Sequence, residues 1–317
     1  MMIVEAHATS HVGRVRKGNE DNFLLLDVAG SQSWTSSQAP DALIIESQRF
    51  EIEDDNGIIL AVSDGMGGAL AGEVASKMAV ETVSDLIIGG DDPEKTMSPE
   101  HDKDTLIEKL FEATVYANRC IHEHGREPEY QGMGATFTGA ALTNEGIFLI
   151  QVGDSRVYLI RDVNIYQVTK DQSLVQQLID SGQISADEAE SHPLKNVILQ
   201  ALGAQNEIIP VAAQFEPNKD DILVICSDGL SNKIGGADLQ RIVYENSENL
   251  KMACAELIKE ANARGGEDNI TVILAKVFGD NLPEATDQDV ELRMVFMQDI
   301  HDTADQELNE QDTAEID

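Results

Sequence analysis

The apolar positions of this chain fall into two kinds of run. Continuous apolar stretches of strand length occur at residues 3–8, 22–27, 58–63, 222–227 and 269–277, with further strand-like pattern across 135–168. Bounded by Gly, Asp and Asn, such runs read as buried strands. Between them the period changes to a helical one at 72–83 and at 104–124, where Leu106, Leu110, Ala113, Ala117 and Ile121 share one face. Shorter helical stretches fall at 173–179 and 186–191, joined by Gly182, and longer ones at 237–245 and 250–263. Strands gathered outside helical blocks, without strand-helix-strand alternation, predict an α+β fold in which an antiparallel sandwich is flanked by helices. Residues 28–56, rich in Ser, Gln and Asp and holding the only tryptophan, Trp34, read as an inserted loop or hairpin, with a short strand at 43–45. Residues 89–102, rich in Gly, Asp and Pro, read as a loop.

Two of the apolar runs stop at the same tripeptide, Ser63-Asp64-Gly65 and Ser227-Asp228-Gly229. Two more carry an aspartate at one end, Gly153-Asp154-Ser155-Arg156 and Glu267-Asp268-Asn269. Asp-Gly alone is a common turn signal, but a turn does not call for the same Ser before it at two distant positions. Carboxylates gathered at strand ends repel one another and hold protons unless a cation neutralises them. All-oxygen ligands suit Mg²⁺, Mn²⁺ or Ca²⁺ rather than Zn²⁺. Cys120, Cys226 and Cys254 lack any paired C-x-x-C spacing and their odd number opposes a disulfide framework.

With 317 residues, 42% of them hydrophobic, the chain has material for one large domain or two modest ones. Its formal net charge of −36 repels nucleic acid and anionic membrane surfaces. The first residues hold no basic segment followed by an apolar one, and no run approaches the ~20 apolar residues of a membrane span, so a soluble cytoplasmic protein is expected. From Asp280 onward thirteen acidic residues face one basic residue, Arg293, the composition of a solvated acidic tail. Within it, residues 290–297 are apolar enough to form a short helix or strand that docks on the core or on a partner.

The remaining motifs follow a definite order. They are Val15-Arg16-Lys17-Gly18-Asn19-Glu20-Asp21, Val62-Ser63-Asp64-Gly65-Met66-Gly67-Gly68 with Gly72-Glu73-Val74-Ala75-Ser76, Met133-Gly134-Ala135-Thr136 and Val152-Gly153-Asp154-Ser155-Arg156. Thr169-Lys170-Asp171-Gln172-Ser173, His192-Pro193, Leu199-Gln200-Ala201-Leu202-Gly203, Cys226-Ser227-Asp228-Gly229-Leu230 and Glu267-Asp268-Asn269 complete the series. In this order they resemble the bacterial metal-dependent serine/threonine protein phosphatases of the protein phosphatase 2C, or PPM, family, over residues 3–277.

That resemblance implies a four-layer α-β-β-α sandwich, two antiparallel sheets each covered by a helix pair. It places a phosphatase domain at residues 1–279, with an insertion at 28–56, a flap subdomain at about 163–203 and an acidic tail at 280–317. It further implies two Mg²⁺ or Mn²⁺ ions, bridged by Asp64, with the Gly65 carbonyl on one ion and Asp228 and Asp268 on the other. Asp21 is a further metal residue that acts, like Glu20, mainly through metal-bound water, and Asp154 with Asp228 matches the pair that holds a third, weaker ion. Arg16 is the expected phosphate ligand. The implied reaction is in-line attack on phosphoserine or phosphothreonine by a hydroxide held between the ions, without a phosphoenzyme. The implied partners are phosphorylated proteins, opposite a Ser/Thr kinase, for a monomer that engages neither nucleic acid nor membrane.

Elementary chemistry supports these roles independently. A carboxylate bridging two cations about 3.5–4 Å apart lowers the pKa of a shared water. Glycine after Asp64 lets a backbone oxygen approach an ion without a Cβ in the way, and a guanidinium fork matches two phosphate oxygens. Two departures from the family pattern stand out. Met66 occupies the place of a histidine proposed elsewhere as general acid, and Ala135 replaces a frequent Thr or Ser. His11, His122 and His124 are the other histidines weighed as proton donors, and each reads better as a surface or helix-face residue. Two non-catalytic readings compete: a calcium-binding interaction module and a regulator of the same fold. Arg16 before Asn19-Glu20-Asp21 opposes the first, and retention of Asp64, Asp228 and Asp268 opposes the second.

Overall fold

Alternation along the strands generates three separate cores, and these define the layers. In β5 (Ile58–Met66) Ile58, Leu60 and Val62 enter one core while Ile59 and Ala61 enter another. In β2 (Asp21–Asp27) Phe23 and Leu25 divide from Leu24 and Leu26 in the same way. Across the molecule, β12 (Ile222–Cys226) and β13 (Ile270–Phe278) send Leu223, Ile225, Ile273 and Ala275 to the shared central core, and Val224, Cys226, Val272 and Leu274 outward. Strands buried on both faces read as continuous apolar runs, which is why the sequence pattern lacks alternation.

The computed structural model describes residues 1–36, 47–53, 57–89, 105–285 and 290–295. Its six-stranded sheet runs β10 (Asn164–Gln167), β9 (Arg156–Arg161), β12, β13, β1 (Met2–His11) and β4 (Gln48–Ile52). The eight-stranded sheet runs β14 (Arg293–Val295), β11 (Val211–Phe215), β8 (Gly146–Val152), β7 (Phe137–Thr143), β5, β2 and β3 (Gln32–Thr35), with the two-residue β6 (Gly134–Ala135) pairing β5. The pairings are antiparallel throughout.

Helices α1 (Ala69–Ile88) and α2 (Leu106–His124) close the outer face of the eight-stranded sheet, and α6 (Gly236–Glu245) and α7 (Leu250–Ala263) close that of the six-stranded sheet. A run of Ala71, Ala75 and Ala79 along α1 lets the helix lie close to β5. Helix α2 begins with a reciprocal Thr105–Glu108 capping box. Each large buried aliphatic side chain in these cores stabilises the fold by about 1.5–3 kcal/mol. The expected four-layer α+β sandwich is therefore the architecture.

Several local expectations change. The first Ser-Asp-Gly does not end its strand: β5 continues to Met66 because Gly65 pairs Ala135 on β6 and its N–H reaches the Glu20 carbonyl at 3.2 Å. The second does end a strand, and Asp228 opens the short helix α5 (Asp228–Ser231). The insertion is not a self-paired hairpin in its described residues, since β3 joins β2 in one sheet and β4 joins β1 in the other. The anticipated strand at 43–45, all but the first residue of the 89–102 loop and Asp104 lie outside the described residues.

The stretch at 163–203 expected as a flap begins inside the sheet, because β10 pairs β9 at its edge. Its helical part consists of α3 (Leu174–Asp180) and α4 (Ala186–Glu190), and Leu202 rejoins the core by bridging Ala135. Nor does a solvated tail begin at 280. Strand β14 pairs β11, and Leu282, Val290 and Val295 pack against the cores. Residues 286–289 and 296–317 lie outside the described set. Both β11 and β14 are too short to leave a clear pattern in the sequence.

Candidate metal and phosphate site

Five aspartates arrive at one end of the sandwich on separate elements. Asp21 is the first residue of β2 and stands directly opposite Asp64 of β5 in the antiparallel register. Asp228 opens α5, Asp268 directly precedes Asn269 and β13, and Asp154 sits in the turn between β8 and β9. Like charges directly opposite across a ladder are destabilising, and burial compounds the cost. Burial first, then repulsion from Asp21, Asp228, Asp154 and Asp268, raises the pKa of Asp64 well above the ordinary range. Asp21 is pushed up to about 7 by burial, against the lowering effect of a hydrogen bond from Ser227. Asp154 also reaches about 7, through burial and then the proximity of Asp228 and Asp171. Asp228 moves upward through burial and Asp268.

Neutral side chains fix these groups in place. Ser227 Oγ donates to Asp21 Oδ2 at 2.7 Å and accepts from the Thr271 N–H at 3.0 Å. Asp21 Oδ1, by contrast, is buried without any hydrogen-bond partner. Asp64 is braced through its backbone: its N–H donates to Thr136 Oγ1 at 2.9 Å, and its carbonyl accepts from the Thr136 N–H at 2.8 Å. Thr136 Oγ1 in turn lies 2.8 Å from Ser155 Oγ, while Ser63 Oγ donates to the Thr136 carbonyl at 2.6 Å.

Asn269 organises the loop ahead of Asp21. Its Oδ1 accepts the Glu20 N–H at 2.8 Å, and its Nδ2 donates to the carbonyls of Val12 at 3.0 Å and Gly18 at 2.9 Å. Held this way, Arg16 directs Nη2 to the two Asp268 oxygens at 2.9 and 3.0 Å, and Nη1 lies 3.5 Å from Glu20 Oε1. Its side chain remains 44% exposed, so the fork faces both the cluster and solvent. Two glycines are required by close approach: a Cβ on Gly65 would strike the Gly72 carbonyl, and one on Gly72 would strike the Glu20 carboxylate.

The arrangement fits a divalent cation. A buried, unpartnered carboxylate oxygen among mutually repelling carboxylates is the donor set that a hard cation satisfies. The side chains surround this region without converging: among the described residues, no three acidic, His or Cys side chains form a closed ligand group. A cavity of about 500 Å³ runs outward from Asp154 and Asp228 between helices α3 and α4 and the loop after α5, with Lys195 and Lys233 on its walls.

The sequence-predicted residues Glu20, Asp21, Asp64, Gly65, Asp154, Asp228 and Asp268 all reach this end of the fold, with Arg16 beside them. Met66 is half-buried and adjoins Gly134. The other weighed proton donors are engaged elsewhere: His11 Nδ1 accepts the Gly13 N–H at 2.8 Å, His122 Nδ1 lies 3.0 Å from the Gly203 carbonyl, and His124 stacks on Tyr130. Ser227, Thr136 and Asn269 had no role assigned from sequence. The repeated Ser before Asp-Gly was the available signal, although Ser63 and Ser227 turn out to hold different partners.

A family model described as protein phosphatase 2C matches residues 45–275. The chain belongs to the protein phosphatase 2C family. A relative of this phosphatase 2C chain, the serine/threonine phosphatase stp of Listeria monocytogenes, is 34% identical over 233 residues, covering 72% of this chain and 87% of the relative. The Streptococcus agalactiae serine/threonine phosphatase superposes with a TM-score of 0.70 at 29% identity, covering 87% of this chain and all of that one. The PstP catalytic domain in complex with two manganese ions gives a TM-score of 0.67 at 29% identity, over 88% of this chain and all of the other.

Proposed function

We propose that the carboxylate cluster is the reaction centre of a protein-serine/threonine phosphatase that hydrolyses phosphoserine and phosphothreonine in proteins. The observation that carries this reading is the opposition of Asp21 and Asp64, with Asp21 Oδ1 unpartnered and the Arg16 fork beside them. Family membership supports it, as do the names of the bacterial relatives and the manganese ions of the PstP structure.

In this proposal Asp64 and Asp21 from the eight-stranded sheet face Asp228 and Asp268 from the six-stranded one, and together with the Gly65 carbonyl they hold two Mg²⁺ or Mn²⁺ ions. Glu20 contributes through water, and Asp154 with Asp228 offers a weaker third position. Bound ions would supply an activated water at neutral pH and neutralise charge on the phosphate oxygens, with no phosphorylated residue needed. Arg16, its side chain partly exposed and its Nη2 held by Asp268, orients the phosphate through the N–H groups it turns to solvent. Cysteine chemistry has no support: Cys226 is fully buried and its thiol is pushed up to about 12, chiefly by burial. The substrates are products of a Ser/Thr kinase, the reaction class that makes such esters.

Among the described residues no helix is long and apolar enough to cross a membrane. The test is hydrolysis of p-nitrophenyl phosphate and of a phosphothreonine peptide by the purified chain. Turnover should require added Mn²⁺ or Mg²⁺, stop with chelator, and be lost in Asp64→Asn and Asp228→Asn. Full turnover by either variant under saturating Mn²⁺ would falsify the assignment.

A further inference from the structure

Asp154 differs from its neighbours in how it is held. Asp21, Asp228 and Asp268 each accept a hydrogen bond from a side chain, given by Ser227, Asn232 and Arg16 respectively. Among the described residues no such bond reaches the Asp154 carboxylate. Its direction is set instead by the turn between β8 and β9, where Gly153 and Ser155 are buried on either side of it.

One side of that turn rests on Thr136. Gly153 has a φ of +104°, a Cβ there would strike the Thr136 side chain, and Ser155 Oγ lies 2.8 Å from Thr136 Oγ1. The other side is gripped by Gln172. The Gly153 N–H donates to Gln172 Oε1 at 2.7 Å, and the Gly153 carbonyl accepts the Gln172 N–H at 3.0 Å. One residue thereby satisfies both backbone groups of a glycine that lies beyond the end of β8. Gln151, 2% exposed, adds Nε2 donations to the carbonyls of Gly153 at 3.3 Å and Ser155 at 3.4 Å, and its Oε1 accepts the Lys170 N–H at 3.2 Å.

Gln172 is itself fixed. Its carbonyl accepts the Leu199 N–H at 2.7 Å, and Gln200 Nε2 donates to its Oε1 at 3.2 Å. Gln200 in turn makes a reciprocal pair with the Ile209 backbone at 2.9 and 3.1 Å. Residue 172 is therefore both the point where the chain leaves for α3 and α4 and the point where it closes on its return. A carboxamide suits the place because it accepts at one end and donates at the other, here to the Gln151 carbonyl at 3.4 Å.

We propose that Gln172 is a positioning residue for Asp154, holding the Gly153–Asp154 turn so that the carboxylate stands beside Asp228 at the inner end of the cavity. The proposal rests on the reading of Asp154 as a metal residue. A group that holds a ligand from behind is worth about 10–100-fold in metal affinity. Gln172 thus sets the affinity of the Asp154 position without supplying a ligand atom.

Calorimetric titration of Mn²⁺ into the full chain tests this through a double-mutant cycle. Asp154→Ala should delete the weakest binding phase and so identify it. Gln172→Met, which keeps the volume and loses the side-chain hydrogen bonds, should weaken that same phase by about tenfold. In the Asp154→Ala background it should change nothing further. Gln172→Glu keeps both accepted bonds and should recover most of the affinity. Should Gln172→Met fail to fold by circular dichroism, Gln172→Asn, too short by one methylene to reach Gly153, carries the same comparison. A purely structural role would lower the melting temperature yet leave the weak phase in place, and that result overturns the proposal. So does an effect of Gln172→Met that persists undiminished beside Asp154→Ala, or a Glu variant as weak as the Met variant. Parent-like Mn²⁺ binding by Asp154→Ala alone is a different failure: it removes Asp154 from the metal site, and the proposal with it.

Discussion

Ser227 donates its hydroxyl to Asp21 Oδ2 at 2.7 Å, joining the residue that follows β12 of one sheet to the first residue of β2 in the other. This bond ties the ends of β12 and β2 across the sandwich and occupies one carboxylate oxygen, leaving Oδ1 without a partner. Replacing Ser227 by Ala removes a hydrogen bond to a charged acceptor, a loss of about 1.5–3 kcal/mol. The expected outcome is a lower melting temperature and weaker Mn²⁺ binding by calorimetry, whereas Ser227→Thr should keep most of both. Unchanged Mn²⁺ affinity in the Ala variant would remove Ser227 from the site.

Stability and activity should move in opposite directions at Asp64. Burial and the surrounding carboxylates disfavour its charge, so Asp64→Asn relieves repulsion while destroying catalysis. In chelator, the variant should melt a few degrees above the parent, as about 1 kcal/mol corresponds to roughly 2–4 °C for a domain of 150–250 residues. A variant that melts lower in chelator would show that the charge is compensated by some other means.

The pH dependence of the metal-free protein follows from Asp21 and Asp154. Their folded pKa values, about 7, exceed the ordinary aspartate value of 3.8, so the folded state binds more protons than the unfolded one. Their contribution is fully present below about pH 4 and is lost as pH rises through 7. Burial lowers the His11 pKa from the ordinary imidazole value of 6.5 and acts oppositely, but it is a single group against two. Melting temperature in chelator should therefore fall from pH 5.5 to 8, while Mn²⁺ affinity rises over the same range as protons cease to compete. A melting temperature that climbs across this window would contradict the clustering.

Arg16→Ala should raise KM for phosphosubstrates by about 10–100-fold, the equivalent of 1.5–3 kcal/mol for hydrogen bonds to a charged group. The metal should remain bound, because Arg16 supplies no ligand atom. Arg16→Lys should rescue poorly, since an ammonium cannot span two oxygens. Loss of bound Mn²⁺ together with activity would reassign the residue to holding Asp268.

Asn269 uses both ends of its amide, accepting from Glu20 and donating to Val12 and Gly18. Asn269→Asp keeps the acceptor and loses both donations, so both it and Asn269→Ala should loosen the loop carrying Arg16. We expect about 1–3 kcal/mol of destabilisation in urea titration, with faster amide exchange at residues 12–20. Asp at this position with full stability would mean that the two carbonyls find another donor.

Much of this molecule was legible before any coordinates. Continuous apolar runs at 58–63 and 222–227 are strands because both faces are buried, and α7 spans the same residues its periodicity predicts. Asp64, Asp154, Asp228 and Asp268 stood out because they sit at the ends of apolar runs, a local property of sequence, whereas Arg16, Glu20 and Asp21 were named through the resemblance of the motif order to the phosphatase 2C family. Composition also marked the acidic C-terminal stretch. Only the tertiary structure decided that one Ser-Asp-Gly continues a strand while the other starts a helix, for that depends on whether β6 lies alongside. It also decided the Asp21–Asp64 register, the Ser227 bond between sheets and the addition of β14 to β11. Each of these is settled by a partner far away in sequence, and pairing energy between distant segments leaves no periodicity in either one.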